Sequence, residues 1–144
     1  MENSPATLPE HHLTVEARFA EAGKLYLWVE KLAAAHAIPA KIAFAMYLCL
    51  EELVSNTIQH GHGGDSPRPV QVSFSQPSAG GYMLVLENTA APFNPLTAPP
   101  LPPLNASDEI RLGGQGLRLL REFSSSLTHE ALPSGNRYVL TFTA

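Results

Sequence analysis

The sequence predicts an α+β two-layer sandwich, with a mixed, mostly antiparallel sheet of about five strands covered on one face by three helices. Two observations lead to this class. Five segments alternate polar and apolar residues, as half-buried strands do: 12–17, 70–75, 82–87, 126–131 and 137–143. Three other segments repeat their apolar residues at helical spacing: 20–36, 40–60 and 117–123. Because the helices do not alternate one by one with the strands, we expect them to gather on one side of the sheet.

Length and composition suit one globular domain. The chain has 144 residues, of which 44% are hydrophobic, and residues 11–144 are assigned to that domain. Residues 1–10 carry two prolines and no periodicity, so they are interpreted as a flexible tail. A charged fraction of 15% and a net charge of -4 argue against nucleic acid as the main partner. No leader-like start and no span-length apolar run is present, so we expect a cytoplasmic protein without a membrane partner.

The segment 40–60 is the most apolar of the chain, and it carries a polar face near its end. Glu52 and Asn56 are four residues apart, so a helix places them one above the other. A carboxylate and an amide oxygen in that arrangement can hold a hard cation or aim a proton acceptor at a bound group. In isolation, the same pattern more often marks a solvated helix face. We expect the helix to end at His60, with Gly61 as its C-cap.

Two further features lie downstream. Residues 96–110 are rich in proline, and a loop of this length in a compact domain is usually functional or disordered. The run LGGQGL at 112–117 then opens a short helix, where backbone N–H groups and the helix dipole favour an anion. The run lacks the Lys-Ser/Thr of a Walker A loop, and it is not a dinucleotide fingerprint, because no strand-linked third glycine follows it. His60 and His62 flank a glycine and could bind a metal, although a loop histidine and a capping histidine are the more common outcome.

The order of these motifs resembles that of the Bergerat-type ATP-binding domain, which occurs in histidine kinases, gyrase-type topoisomerases and Hsp90-type chaperones. The motifs that carry the resemblance are ELVSNTIQHG at 52–61, PFNP at 92–95 and GGQGLRLL at 113–120. Within that group, residues 12–143 are most similar to the bacterial anti-sigma factor serine/threonine-protein kinases.

The resemblance implies roles for individual residues. Glu52 corresponds to the general base, and Asn56 to the ligand of a Mg²⁺ ion that holds the ATP phosphates. Residues 96–112 correspond to the ATP lid. Arg111 and Arg118 correspond to positions that neutralise phosphate charge, with a solvated helix-flanking arginine as the alternative for each. The nucleotide-binding set implied by the family consists of Asn56, His60, Asn88, Ala90, Phe93, Arg111, Gly113, Gly114, Gly116, Leu117 and Asn136.

The chain departs from the family at two of these positions. The family usually has an Asp that accepts the adenine amino group, and a Gly two residues later. Aligned on Pro92 and Phe93, this sequence has Asn88 and Ala90 there. A neutral amide oxygen is a weaker acceptor than a carboxylate, and the methyl group of Ala90 occupies space beside the backbone.

The resemblance therefore implies an anti-sigma factor that is also an ATP- and Mg²⁺-dependent serine/threonine-protein kinase. Such a protein sequesters a sigma factor and phosphorylates an anti-sigma factor antagonist, and a homodimer is expected. One alternative is a binding module with weak nucleotide affinity that sequesters a regulator without phosphorylating it. The catalytic half of a two-component histidine kinase is a third possibility, for which the chain shows no upstream phosphoacceptor helix.

Overall fold

A computed structural model of the protein describes residues 11–94, 120 and 122–144. Within these residues, five strands form one sheet in the order β1-β2-β3-β5-β4. Their bounds are β1 His12–Ala17, β2 Ser66–Ser78, β3 Gly81–Asn88, β4 Ser126–Leu132 and β5 Gly135–Thr143. The predicted five-stranded α+β class is confirmed. The sheet is antiparallel in each of its four described pairings, whereas the sequence predicts a mixed, mostly antiparallel one.

In the part of the chain that the structure describes, two long helices cover one face of this sheet. Helix α1 spans Ala22–His36 after a short 3₁₀ turn, and helix α2 spans Ala40–Asn56. Their apolar faces meet the inward residues of the strands in one continuous core. Neither described helix is long and apolar enough to cross a membrane. The third helix expected at 117–123 lies mostly outside the described residues, of which Leu120, Glu122 and Phe123 are helical.

The end of α2 differs from the sequence prediction. The helix does not end at Gly61 but continues as a wider π-helix over Thr57–His62. Gly63 follows in the left-handed conformation, with φ of 71°. The backbone N–H of Gly63 donates to the carbonyl of Ile58. The prediction of Gly61 as the C-cap is therefore wrong, because the helix continues in a wider turn to a second glycine that can adopt the left-handed conformation. Single π-turns of this kind occur often at functional sites.

Strand register places two asparagines side by side at one end of the sheet. Asn88, the last residue of β3, pairs with Asn136 near the start of β5. On the other side of β3, Asn88 pairs with Val70 of β2. Both asparagine side chains are buried. A polar cluster thus lies at the sheet end, and a hydrogen bond from Asn88 to Thr57 joins it to the π-helix.

Candidate functional site

The last turns of α2 carry a carboxyl group with unusual surroundings. Glu52 is 4% exposed, and its Oε2 finds no hydrogen-bond partner among the residues that the structure describes. Burial in the protein, and secondarily the negative charge of Glu51, raises the pKa of Glu52 to about 8. A group with a pKa near neutrality and an unsatisfied oxygen is well suited to exchange a proton with a bound molecule.

Asn56 lies one helical turn after Glu52 and ends α2. Its side chain is 6% exposed, and the spacing of four residues places it on the same side of the helix as the carboxyl group. An amide oxygen is a ligand that hard cations accept. The structure thus places a buried carboxyl group and a buried amide group one turn apart at the helix end.

The side chain of Asn88 makes three hydrogen bonds inside the protein. Its Oδ1 accepts hydrogen bonds from the backbone N–H of Ala90 at 3.1 Å and from Nδ2 of Asn136 at 3.0 Å. Its Nδ2 donates to Oγ1 of Thr57 at 2.8 Å. Since the backbone N–H of Ala90 can only donate, it fixes which end of the amide is the oxygen. We call Asn88, Asn136 and Thr57 the amide network.

Asn136 is the centre of this network. Beyond its bond to Asn88, its Nδ2 lies 3.3 Å from the carbonyl oxygen of Ala90 and 3.0 Å from that of Ala91. Its Oδ1 accepts from the backbone N–H of Phe93 at 3.1 Å, and its distance to Nε2 of His129 is 2.7 Å. Asn136 therefore holds segment 90–93 in place. It can bind a ligand only by exchanging one of these bonds.

The π-helix packs directly against segment 90–93. The ring of His60 stacks on that of Phe93, with centroids 4.6 Å apart and an interplanar angle of 5°. A Cβ atom at Gly61 would lie 2.4 Å from Cβ of Ala90, so the methyl group of Ala90 occupies space that only a glycine leaves open. The two departures from the family pattern, Asn88 and Ala90, are thus built into the contact between the π-helix and this segment.

Seven of the sequence-predicted site residues lie in this region. They are Glu52, Asn56, His60, Asn88, Ala90, Phe93 and Asn136. The predicted ATP lid at 96–112 lies outside the described residues. The remaining predicted site residues also lie outside them: Arg111, Gly113, Gly114, Gly116, Leu117 and the phosphate-neutralising candidate Arg118. Within the described part of the chain, no group of three or more His, Cys, Asp or Glu side chains could hold a metal ion.

Three residues of the region were not among the sequence-predicted site residues. Thr57 joins helix and sheet, since its Oγ1 donates to the carbonyl of Leu53 at 2.9 Å and accepts from Asn88. Ser55 has a buried hydroxyl without a partner among the described residues. Gly135 opens β5, and a Cβ there would lie 1.8 Å from the carbonyl oxygen of Asn88. The positions of Ser55 and Thr57 next to Asn56 were the only available signal.

The sequence model of the histidine kinase-like ATPase domain matches residues 15–142, nearly the whole chain. The protein therefore belongs to the histidine kinase-like ATPase domain family. Among characterised proteins, the chain is 27% identical over 114 residues to the serine/threonine-protein kinase BtrW of Bordetella bronchiseptica. That alignment covers 79% of this chain and 80% of BtrW.

Two solved structures share the fold. The RsbU and RsbW domains of Rv1364c from Mycobacterium tuberculosis superpose with a TM-score of 0.65 at 15% identity, over 92% of this chain. The histidine kinase domain of the blue-light activated histidine kinase EL346 from Erythrobacter litoralis superposes with a TM-score of 0.52 at 16% identity, over 90% of this chain. This chain spans 31% and 61% of the length of those two chains, respectively.

Proposed function

We propose that the protein is an ATP-dependent serine/threonine-protein kinase that phosphorylates a hydroxyl group of a partner protein. The observation that carries this proposal is the buried Oε2 of Glu52, which has no hydrogen-bond partner among the described residues and lies one helical turn from Asn56. A protein that only binds a partner has no need of a buried carboxyl group at that place, because an unsatisfied buried polar group costs stability. Similarity to the serine/threonine-protein kinase BtrW supports the same reaction class.

In the proposed reaction, Glu52 acts as the general base. The acceptor oxygen bonds to the γ-phosphorus of ATP while the bond from that phosphorus to the β–γ bridging oxygen breaks, and ADP leaves with the electron pair. Oε2 of Glu52 takes the proton of the acceptor hydroxyl. With a pKa of about 8, the group is partly ionised at neutral pH and is a stronger base than an ordinary carboxylate.

Asn56 is proposed to hold the magnesium ion. Its residue type fits, because Mg²⁺ commonly takes one or two oxygen ligands from the protein and the rest from phosphates and water. The ion neutralises charge on the ATP phosphates when it is bound. The glycine run at 113–116, together with Arg111, Arg118 and the lid at 96–112, is proposed to contact the same phosphates.

The base end of the nucleotide is proposed to lie near Asn88 and segment 90–93, with His60 and Phe93 beside it. Both lone-pair directions of the Asn88 oxygen are in use, so this side chain offers little to an adenine amino group without rearrangement. We therefore expect ATP affinity to depend mainly on the phosphates and the metal ion, and to be weak.

Partner switching is proposed as the biological role. In this scheme the protein sequesters a sigma factor in one state, and phosphorylates an anti-sigma factor antagonist in another. A homodimer is part of the same scheme. Support comes from the resemblance of the whole chain to anti-sigma factor kinases and from the structural likeness to a chain that contains an RsbW domain.

One observation favours a second candidate, a binding module without kinase activity. The amide network occupies both acceptor positions of the Asn88 oxygen, and Ala90 fills the space beside Gly61. A site that has lost base recognition could retain the fold as a surface for a regulatory protein. The unsatisfied carboxyl group of Glu52 remains unexplained in this alternative.

Calorimetric titration of Mg-ATP separates the two candidates. The kinase proposal expects binding to the wild type that is lost in Asn56→Ala, with Gln71→Ala as a control that removes an exposed amide on the opposite face of the sheet. Absence of binding to the wild type at millimolar nucleotide would overturn the kinase proposal in favour of the binding module. With an antagonist protein as acceptor, phosphotransfer retained by Glu52→Ala would remove Glu52 from the role of base.

A further inference from the structure

Ser55 and Thr57 lie on the same helical stretch but behave differently. A helical Ser or Thr usually donates its hydroxyl to the carbonyl four residues earlier. Thr57 does so, with Oγ1 at 2.9 Å from the carbonyl oxygen of Leu53. The hydroxyl of Ser55 is buried, in a residue 6% exposed, and has no partner in the described part of the chain. The Ser55 hydroxyl therefore does not bond to the carbonyl oxygen four residues earlier, the acceptor that Thr57 uses.

Glu52 precedes Ser55 by three residues, a spacing that places the two side chains on the same side of the helix. Each presents one buried oxygen without a partner among the described residues: Oε2 of Glu52 and Oγ of Ser55. Leaving such a group unsatisfied destabilises a protein, so two cases one helical turn apart call for a shared cause. The simplest one is a small polar molecule that both oxygens contact, as buried waters do in other proteins.

We propose that Ser55 is a positioning residue, and that its hydroxyl and Oε2 of Glu52 together hold one oxygen-bearing molecule. In the free protein this molecule is a water. During phosphoryl transfer the acceptor hydroxyl takes its place, a step that rests on the proposed function. The hydroxyl of Ser55 then donates to the acceptor oxygen while that oxygen's own proton points at Oε2 of Glu52. Ser55 sets the direction of the proton and of the attacking lone pair, and Glu52 receives the proton.

The presence of this water can be tested without an activity assay. A high-resolution crystal structure of the wild-type protein is expected to show an ordered water within hydrogen-bonding distance of both oxygens, and the Ser55→Ala structure is expected to lack it or to show it displaced. A wild-type structure in which the two oxygens bond to other protein groups, or in which no density lies between them, overturns the proposal.

The reaction step is tested by kinetics with Mg-ATP and an antagonist protein as acceptor. Ser55→Ala is expected to lower kcat about tenfold, the effect of one hydrogen bond made in the transition state, with the KM and the Kd for ATP unchanged. Ser55→Thr keeps the hydroxyl and is expected to retain most of the rate. Ser73→Ala on the other face of the sheet serves as the matched control and is expected to behave as wild type.

The outcomes distinguish this inference from the proposed kinase function. Loss of ATP affinity in Ser55→Ala, or a wild-type kcat in that variant, contradicts the positioning role while leaving the kinase intact. If the wild-type protein transfers no phosphoryl group at all, the kinase proposal fails, and the crystallographic comparison still decides whether Ser55 and Glu52 share a water.

Discussion

Asn136 donates a hydrogen bond from Nδ2 to Oδ1 of Asn88 at 3.0 Å, between two residues that face each other across β3 and β5. Asn88 in turn donates to Thr57, the first residue of the π-helix. One chain of side chains therefore fastens the sheet to the helix end that carries Glu52 and Asn56. Because the atoms proposed to lie near the nucleotide base also hold the fold together, substitutions there act on stability and binding at once.

Asn136→Ala should strongly destabilise the protein. The substitution removes the partner of three acceptors and two donors in a fully buried place, and buried groups left unsatisfied cost about 1–3 kcal/mol each. We expect the free energy of unfolding in urea to fall by roughly 2–4 kcal/mol. The exposed amide control Gln71→Ala should change it by about 0.5 kcal/mol or less. Equal effects of the two variants would mean that the amide network contributes no stability.

Gly135 should tolerate no side chain. A Cβ there would lie 1.8 Å from the carbonyl oxygen of Asn88 and 3.0 Å from Cα of Thr89, both backbone atoms that cannot move aside. Gly135→Ala is therefore expected to lower the free energy of unfolding by about 3 kcal/mol or more. Gly23 is the matched control, because a Cβ there meets nothing within 4 Å and the residue lies in α1. Gly23→Ala should stabilise the protein by about 0.5 kcal/mol, and a similar loss in both variants would contradict the packing argument.

Gly61 and Ala90 should be energetically coupled. Gly61→Ala places two methyl groups in space for one, so we expect it to cost about 1–3 kcal/mol. In the double variant Gly61→Ala, Ala90→Gly, only residue 61 carries a methyl group, so the space again holds one methyl group. Much of the stability lost in Gly61→Ala should therefore be recovered. Urea unfolding of both single variants and the double variant gives the coupling free energy. A double variant that loses the sum of the two single effects would show that the residues act independently.

The sequence predicted the layers of this fold better than it predicted the helix end. Polar–apolar alternation located all five strands, since a half-buried antiparallel strand imposes a period of two on its side chains. A π-turn has no such period. The continuation of α2 past Gly61 depends on Gly63 and on the contact between Gly61 and Ala90, which joins residues far apart in the chain.

The same limit applies to the candidate site. Glu52 and Asn56 were found from sequence because their relation is a helical spacing. For Asn88 and Asn136, the sequence predicted only that they lie near the nucleotide base. It did not predict that they bond to each other. Their mutual hydrogen bond depends on strand register, which the sequence leaves open until the sheet order is known. For this reason the amide network had no signal in the sequence.

Glu52→Gln should make the protein less sensitive to alkaline pH. Burial raises the pKa of Glu52 from its ordinary 4.5 to about 8 in the folded state. Between those values the native protein holds a proton that the unfolded chain has released, so this group's contribution to stability declines as pH rises towards 8. Glutamine does not titrate and resembles the protonated carboxyl group in shape. The free energy of unfolding of Glu52→Gln, minus that of wild type, should therefore increase by about 3 kcal/mol between pH 5.5 and 8.5.

Glu30→Gln, on the exposed face of α1, is the matched control and should show a small difference at both pH values. A difference for Glu52→Gln that stays constant across this range would mean that the carboxyl group is already ionised at pH 5.5, and would contradict a pKa raised by burial.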